Sequence, residues 1–264
     1  MNTKLYETIV DFRTTSKNAI KSKWIISPLE YFWIDGKKLF DNIFKDECSI
    51  LSKEISPIIY KTCMNSHFRA TMMVVGFMRE PISKKFSLEI ENGLLNFYRL
   101  DFLSTISQWI YIIEGYMRII FNVTNGNSAI NPDNWIIPET DDPHYDNIIN
   151  NFIESLSLFS KEILFCKDYN PNSIDLNRHL LLHGKINNKE FFSQSNGLKL
   201  LFVLDTLLAI EMVKNKNFPA IFNTSNKENI MIQARESTYQ NELSLAMEDH
   251  NLTKIQLLKE HIQV

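Results

Sequence analysis

The stretch NRHLLLHG, residues Asn177 to Gly184, brings together side chains that can exchange protons and bind anions. His179 and His183 are four residues apart, so a helix would place both on one face. Arg178 would lie about 100° around the helix axis from His179 and about 140° from His183. A histidine exchanges protons near neutral pH, whereas an arginine stays charged and offers a planar set of donors. The cluster is therefore equipped for proton transfer beside a negatively charged group.

Two other interpretations of this cluster stay open at the level of the residues alone. Histidines four apart are also suited to zinc, but leucines occupy positions 180–182, so the glutamate of an HExxH motif is missing. No nearby cysteine or acid pair offers an obvious third ligand. Alternatively, Arg178 caps backbone carbonyls while the histidines are satisfied within a core. Titratable groups on so apolar a segment favour a polar site that is buried or lies at an interface.

The composition predicts a chain built mostly of long helices. It has 264 residues, 44% of them hydrophobic, but only 7 glycines and 8 prolines. The net charge of −3 gives no basic signature, so any contact with nucleic acid has to be local. The sequence contains no glycine-rich phosphate loop, nucleophile elbow or paired-cysteine motif, which counts against ATPase, hydrolase and zinc-finger functions.

The cysteines and the apolar segments bear on the compartment. Cys48, Cys63 and Cys166 are widely separated and odd in number, which favours reduced thiols in a cytoplasm. The first residues lack the apolar stretch of a signal peptide. The longest apolar segment, Leu198–Val213, is interrupted by Asp205 and falls short of the roughly 20 residues that a membrane span needs. We therefore expect a soluble cytoplasmic protein with no membrane partner.

Residues 1–99 are expected to form a mostly helical region whose role the sequence leaves open. Helical patterns cover Lys37–Ser56 and Ile58–Met78. Alternating apolar residues then lead into Asn92-Gly93, a dipeptide typical of tight turns between strands. This pattern predicts a small hairpin over residues 86–97.

Residues 100–220 show the helical pattern most clearly. Apolar residues recur at spacings of three and four from Leu103 to Ile120, which predicts a long amphipathic helix. Glu114 and Arg118 are spaced for an ion pair along it. The same helix carries a polar stripe beside the apolar one: Ser104, Ser107, Tyr111, Glu114 and Arg118.

Three further helices are predicted after a long loop over residues 122–145. The second helix covers about 146–166, and the third contains the octapeptide, with a cap at 170–173 and an end at Gly184. The fourth, Leu198–Val213, is apolar nearly all round, so we expect it in a core or in an oligomer interface. Together they predict a compact four-helix bundle, followed by a polar helical tail over 221–264.

The octapeptide in this helical setting resembles the active-site motif of the HEPN superfamily. That motif is Arg-x4-His with a polar residue after the arginine, on the third helix of a four-helix bundle. The stretch IEGYMR, Ile113–Arg118, also resembles the first helix of a bacterial branch of the superfamily. The resemblance covers about residues 100–214 and does not reach the N-terminal hundred residues.

The resemblance implies a metal-independent endoribonuclease that acts as a toxin or an antiviral defence effector. RNA carries its own nucleophile, the 2′-hydroxyl, so the protein has to supply only proton transfer and charge stabilisation. In this interpretation His183 is the general base or acid, and Arg178 stabilises the phosphorane. Asn177 and His179 would position the substrate. Glu114 and Arg118 would lie behind the catalytic residues and support them.

The resemblance also carries expectations about partners. It implies no cofactor and no metal, and a homodimer in which two copies of the motif meet at one cleft. An antitoxin or a sensor protein is a further expected partner. The alternative is a HEPN fold that has lost catalysis and serves as a binding or dimerisation module.

Overall fold

The computed structural model describes residues 3–32, 36–45, 52–124, 126–166, 170–218 and 224–249. In that part of the chain all regular structure is helical, which confirms the all-α prediction. Short 3₁₀ turns cover Ser83–Phe86, Pro132–Asn134 and Lys189–Phe191, and wider π-type turns cover Met72–Phe77 and Ser160–Leu164. The α-helices are, in chain order, α1 (Thr3–Lys21), α2 (Pro28–Tyr31), α3 (Gly36–Ile43), α4 (Ser52–Cys63), α5 (Ser66–Thr71), α6 (Ser87–Tyr98), α7 (Phe102–Ile120), α8 (Pro143–Phe159), α9 (Arg178–Leu182), α10 (Gln194–Lys214) and α11 (Asn226–Asp249).

Helix α10 forms the centre of the molecule. Its residues from Asn196 to Val213 are all buried, and α2, α4, α7 and α8 pack against it. Helix α6 lies along α7, α11 lies across α5 and α6, and α1 pairs with α8. The apolar segment predicted at 198–213 is thus buried by its own chain. Its burial does not require a second subunit.

A single hydrophobic core extends over both halves of the sequence. It runs from Ile9 in α1 to Tyr239 in α11 and crosses the predicted domain boundary near residue 99. No helix in the described part of the chain has the combined length and hydropathy that a membrane span requires. Of the predicted tail, residues 221–223 and 250–264 lie outside the described residues.

The hairpin predicted over residues 86–97 is wrong, because residues 87–98 form α6. Ile90, Leu94 and Phe97 follow helical spacing and are all buried. Gly93 permits a close approach of two helices: a Cβ built there would lie 2.0 Å from Nε1 of Trp109 in α7. The glycine that looked like a turn residue is therefore needed for helix packing.

The helix predicted over residues 37–56 is also wrong in extent. Helix α3 ends at Ile43 and α4 begins at Ser52. Residues 46–51 between them, with Cys48, lie outside the described residues.

The helix predicted over residues 58–78 is interrupted at Met64 and Asn65. The side-chain Oδ1 of Asn65 accepts a hydrogen bond from the backbone N–H of Phe68 at 3.0 Å and so caps α5. An asparagine whose oxygen replaces a backbone acceptor favours a new helix start over helix continuation.

Asp205, which interrupts the apolar segment of α10, belongs to a buried ionic cluster. Its Oδ2 accepts from Nη1 of Arg69 at 2.6 Å, and Nη2 of Arg69 donates to Glu30. All three side chains are buried. Burial raises the pKa of Asp205 well above its ordinary value, and the neighbouring Glu30 raises it further. Burial therefore biases the Asp205 carboxyl toward its protonated form, although the charge of Arg69 opposes this.

Candidate functional site

The octapeptide folds as a single helical turn that is capped at both ends. Oδ1 of Asn177 accepts from the backbone N–H groups of His179 and Leu180 at 2.9 and 3.3 Å. At the other end, Gly184 has a positive φ of 61°. Its N–H and that of Lys185 donate to the carbonyls of Leu181 and Leu180 at 3.1 and 2.9 Å, which is the Schellman pattern. The glycine stop predicted at this position is confirmed.

The predicted third helix is much shorter than expected. Helix α9 spans five residues, Arg178–Leu182, and His183 is its C-cap residue. Asn170 does not start a helix; its Oδ1 accepts from the N–H of Asn172 at 2.9 Å and closes a local turn. Residues 171–177 therefore approach the motif as irregular chain. Arg178 and His183 flank one turn and do not lie along a long helix.

Arg178 is fixed by an acid from α7. Both Nε and Nη2 of Arg178 donate to Oε2 of Glu114, at 3.0 and 2.6 Å. The side chains are 15% and 22% exposed, so the pair is shielded but still open to solvent on one side. Among the described residues, Nη1 of Arg178 has no hydrogen bond within the chain. The guanidinium is thus held in one orientation with a donor edge left over.

The ion pair predicted between Glu114 and Arg118 is present only at long range. Nη2 of Arg118 lies 3.8 Å from Oε1 of Glu114. The arginine donates instead to the carbonyls of Thr124 and Asn127 at 3.1 and 3.0 Å. Arg118 therefore holds the loop after α7 in place, and Glu114 is left to orient Arg178.

The two histidines of the motif lie face to face. Their ring centroids are 6.0 Å apart and their planes differ by 3°. His179 is half-buried, and its ring also contacts that of Phe165 at 5.1 Å. His183 is exposed. The described residues contain no group of three or more His, Cys, Asp and Glu side chains arranged to hold a metal ion.

Asn177 is the one polar residue of the motif that is buried. Its side chain is buried, its oxygen caps α9, and its Nδ2 donates to the carbonyl of Cys166 at 3.0 Å. A cavity of about 250 Å³ has Asn177 and Leu180 in its lining, but neither Arg178 nor His183. The structure therefore gives Asn177 a role in shaping the turn, whereas Arg178 and His183 present groups at the surface.

The link between Glu114 and Arg178 joins residues 64 positions apart, and sequence spacing carried no signal for it. Phe165, which follows the π-type turn after α8, was missed for the same reason, since its contact with His179 joins two separate elements. No protein-family model matches the chain, and no curated protein or solved structure matches it either.

Proposed function

We propose that the chain is a metal-independent endoribonuclease of the HEPN type, acting as a toxin or antiviral defence effector. The observation that most supports this proposal is the fixed orientation of the Arg178 guanidinium. Glu114 orients its guanidinium through two hydrogen bonds, and His183 stands exposed at the other end of the same turn. An aligned cation and an accessible proton-transfer group are the two parts that RNA cleavage by its own 2′-hydroxyl requires.

The proposed reaction forms a bond from the 2′-oxygen to phosphorus and breaks the bond from phosphorus to the 5′-oxygen. As a general base, His183 takes the proton from the 2′-hydroxyl. As a general acid, it instead gives a proton to the departing 5′-oxygen. Arg178 donates to the non-bridging oxygens, where negative charge increases in the transition state. The products are a 2′,3′-cyclic phosphate and a 5′-hydroxyl.

Two protons have to move in this reaction, and one chain presents one exposed histidine in the motif. A homodimer with two motifs at one cleft would supply a second histidine and a second arginine. The dimer stays a prediction. The apolar helix α10 does not support it, because α10 is buried within its own chain.

The decisive test compares Arg178→Ala and His183→Ala with wild type on a fluorescent single-stranded RNA, with EDTA present throughout. We expect each variant to lose about 10²–10⁴-fold in cleavage rate and to lose toxicity on expression. Wild-type cleavage should survive EDTA and leave cyclic phosphate ends.

Matched controls separate catalysis from the loss of an ion pair. Arg235 pairs with Glu91 at 2.7 Å, and both side chains are 20% exposed, close to the values for Arg178 and Glu114. Arg235→Ala therefore removes a comparable ion pair elsewhere, and His144→Ala removes another exposed histidine. Both controls should cleave RNA like wild type. Equal losses in controls and site variants, or no cleavage by wild type, would contradict the proposal.

A catalytically inactive HEPN-fold binding or dimerisation module is the second candidate. It is favoured by the internal bonding of the cluster, since Asn177 caps α9 and Arg178 is paired with Glu114. A folded wild type that cuts no RNA but forms a dimer by light scattering would support this candidate over the first.

A further inference from the structure

Tyr111 is an exposed aromatic residue close to the proposed catalytic arginine. Its side chain is on α7, and the residue is 78% exposed. It lies three positions before Glu114, which pairs with Arg178. Residues three apart on a helix are neighbours, with Cβ atoms about 5–6 Å apart. The tyrosine ring therefore projects into solvent one turn from the site at which a phosphate would bind Arg178.

Two exposed lysines, Lys84 and Lys85, lie on the 3₁₀ turn that packs against this part of α7. Phe86, the last residue of that turn, packs its ring against Gly115 of α7. A Cβ built on Gly115 would lie 3.2 Å from Cε1 of Phe86. Within the described residues neither lysine forms an ion pair. Both are available to a negatively charged partner near Gly115, one helical turn after Tyr111.

The lysine-bearing turn is held rigidly by a buried acid from α10. Glu211 accepts from the backbone N–H groups of Ile82 and Ser83 at 2.5 and 3.0 Å and from the hydroxyl of Tyr116 at 2.6 Å. Burial and the adjacent Glu211 raise the pKa of Tyr116 well above its ordinary value, so the tyrosine remains a donor. The turn and α7 thus form one preorganised surface.

We propose that this surface binds single-stranded RNA, with one nucleobase stacked on Tyr111 and phosphates near Lys84 and Lys85. The inference rests on the proposed function and names its substrate class. Attack by the 2′-hydroxyl requires it to align with the departing 5′-oxygen, which a continuous A-form stack disfavours. A base that leaves its stack loses stacking energy, and an exposed aromatic ring restores it at about 1–3 kcal/mol per base.

The binding test uses His183→Ala protein, so that the probe is not cut. The probes are a fluorescein-labelled 12-nucleotide single-stranded RNA and the same sequence as a duplex. Adding Tyr111→Ala should weaken single-strand binding by about 5- to 150-fold, which corresponds to the stacking range above. Tyr111→Phe keeps the ring and should stay within about twofold. Leu245→Ala, which removes another exposed apolar side chain, on α11, should have no effect.

The lysines are tested through salt dependence. Each phosphate contact on a single strand contributes about 0.7 to the slope of log affinity against log salt. Lys84→Ala combined with Lys85→Ala should therefore lower the slope by about 1.4. An unchanged slope would overturn the phosphate assignment.

Cleavage by the otherwise wild-type chain separates this inference from the proposed function. If wild type cuts RNA and Tyr111→Ala binds and cuts equally well, the stacking surface is refuted and the ribonuclease stands. If wild type binds RNA through Tyr111 but never cuts it, the ribonuclease is refuted and the surface stands. Absence of RNA binding would overturn both, and a loss of dimerisation in Tyr111→Ala with unchanged RNA affinity would assign the surface to protein contact.

Discussion

Lys199 provides the sharpest test of the packing around α10. It is 2% exposed, its ammonium lies 5.3 Å from the ring centroid of Trp24, and its hydrogen bond to Oδ1 of Asn196 is long, at 3.5 Å. Burial lowers the pKa of Lys199 from 10.5 to about 8, although the charge of Asp175 opposes the shift. The charged lysine therefore destabilises the folded protein.

The sign of the pH dependence follows from proton binding in the two states. Between pH 8 and 10.5 the unfolded chain holds the Lys199 proton and the folded chain does not, so stability rises with pH. At 1.36 kcal/mol per pKa unit, the penalty is about 3 kcal/mol at pH 7, and most of it is relieved by pH 10. Lys199→Met removes this titration and fills the site with a side chain that packs well on Trp24.

The measurement is the free energy of unfolding from urea titrations at pH 7 and pH 10. Lys199→Met should be more stable than wild type at pH 7, and this advantage should shrink by about 2–3 kcal/mol at pH 10. Lys214→Met, at an exposed position on the same helix, should show no such change. A constant difference between Lys199→Met and wild type across this range would refute a desolvated lysine.

Two further predictions concern helix packing and the ionic cluster. Gly93→Ala drives a methyl group into Trp109 and should destabilise the fold by about 1–3 kcal/mol, measured as a lower urea midpoint; an unchanged midpoint would mean that α6 and α7 are not in close contact. Arg69→Met leaves Glu30 and Asp205 buried without their cation and should cost about 3–5 kcal/mol, measured by thermal unfolding at pH 7.

The helices that the sequence predicted best are those whose apolar spacing is long and uninterrupted. Helix α7 was expected from Leu103 to Ile120 and spans Phe102–Ile120, and the apolar segment at 198–213 lies within α10. Periodicity over five turns outweighs any single polar residue. The burial of α10 on all sides also follows from its sequence, since it has no polar face. What surrounds it is decided by tertiary packing.

The errors arose where one short signal has two physical origins. Asn92-Gly93 is a common turn dipeptide, but Gly93 is required by the proximity of Trp109, a residue 16 positions away. Asn65 and Asn170 illustrate the same ambiguity. Both use Oδ1 to accept a nearby N–H, yet only Asn65 starts a helix. Local sequence cannot distinguish these outcomes because the deciding contacts are long-range.

The pairing of the Glu114 carboxylate in the candidate site shows the same limit of local sequence. Spacing alone paired Glu114 with Arg118, four residues on, but an exposed helical pair of this kind contributes only about 0.2–0.5 kcal/mol. Arg118 instead donates to the carbonyls of Thr124 and Asn127. Arg178 donates two hydrogen bonds to Glu114 in a more shielded position. Those bonds require the cap of Asn177 to place Arg178 at the first position of α9. Sequence could name the residues of the cluster, whereas their pairing depends on where the one-turn helix begins.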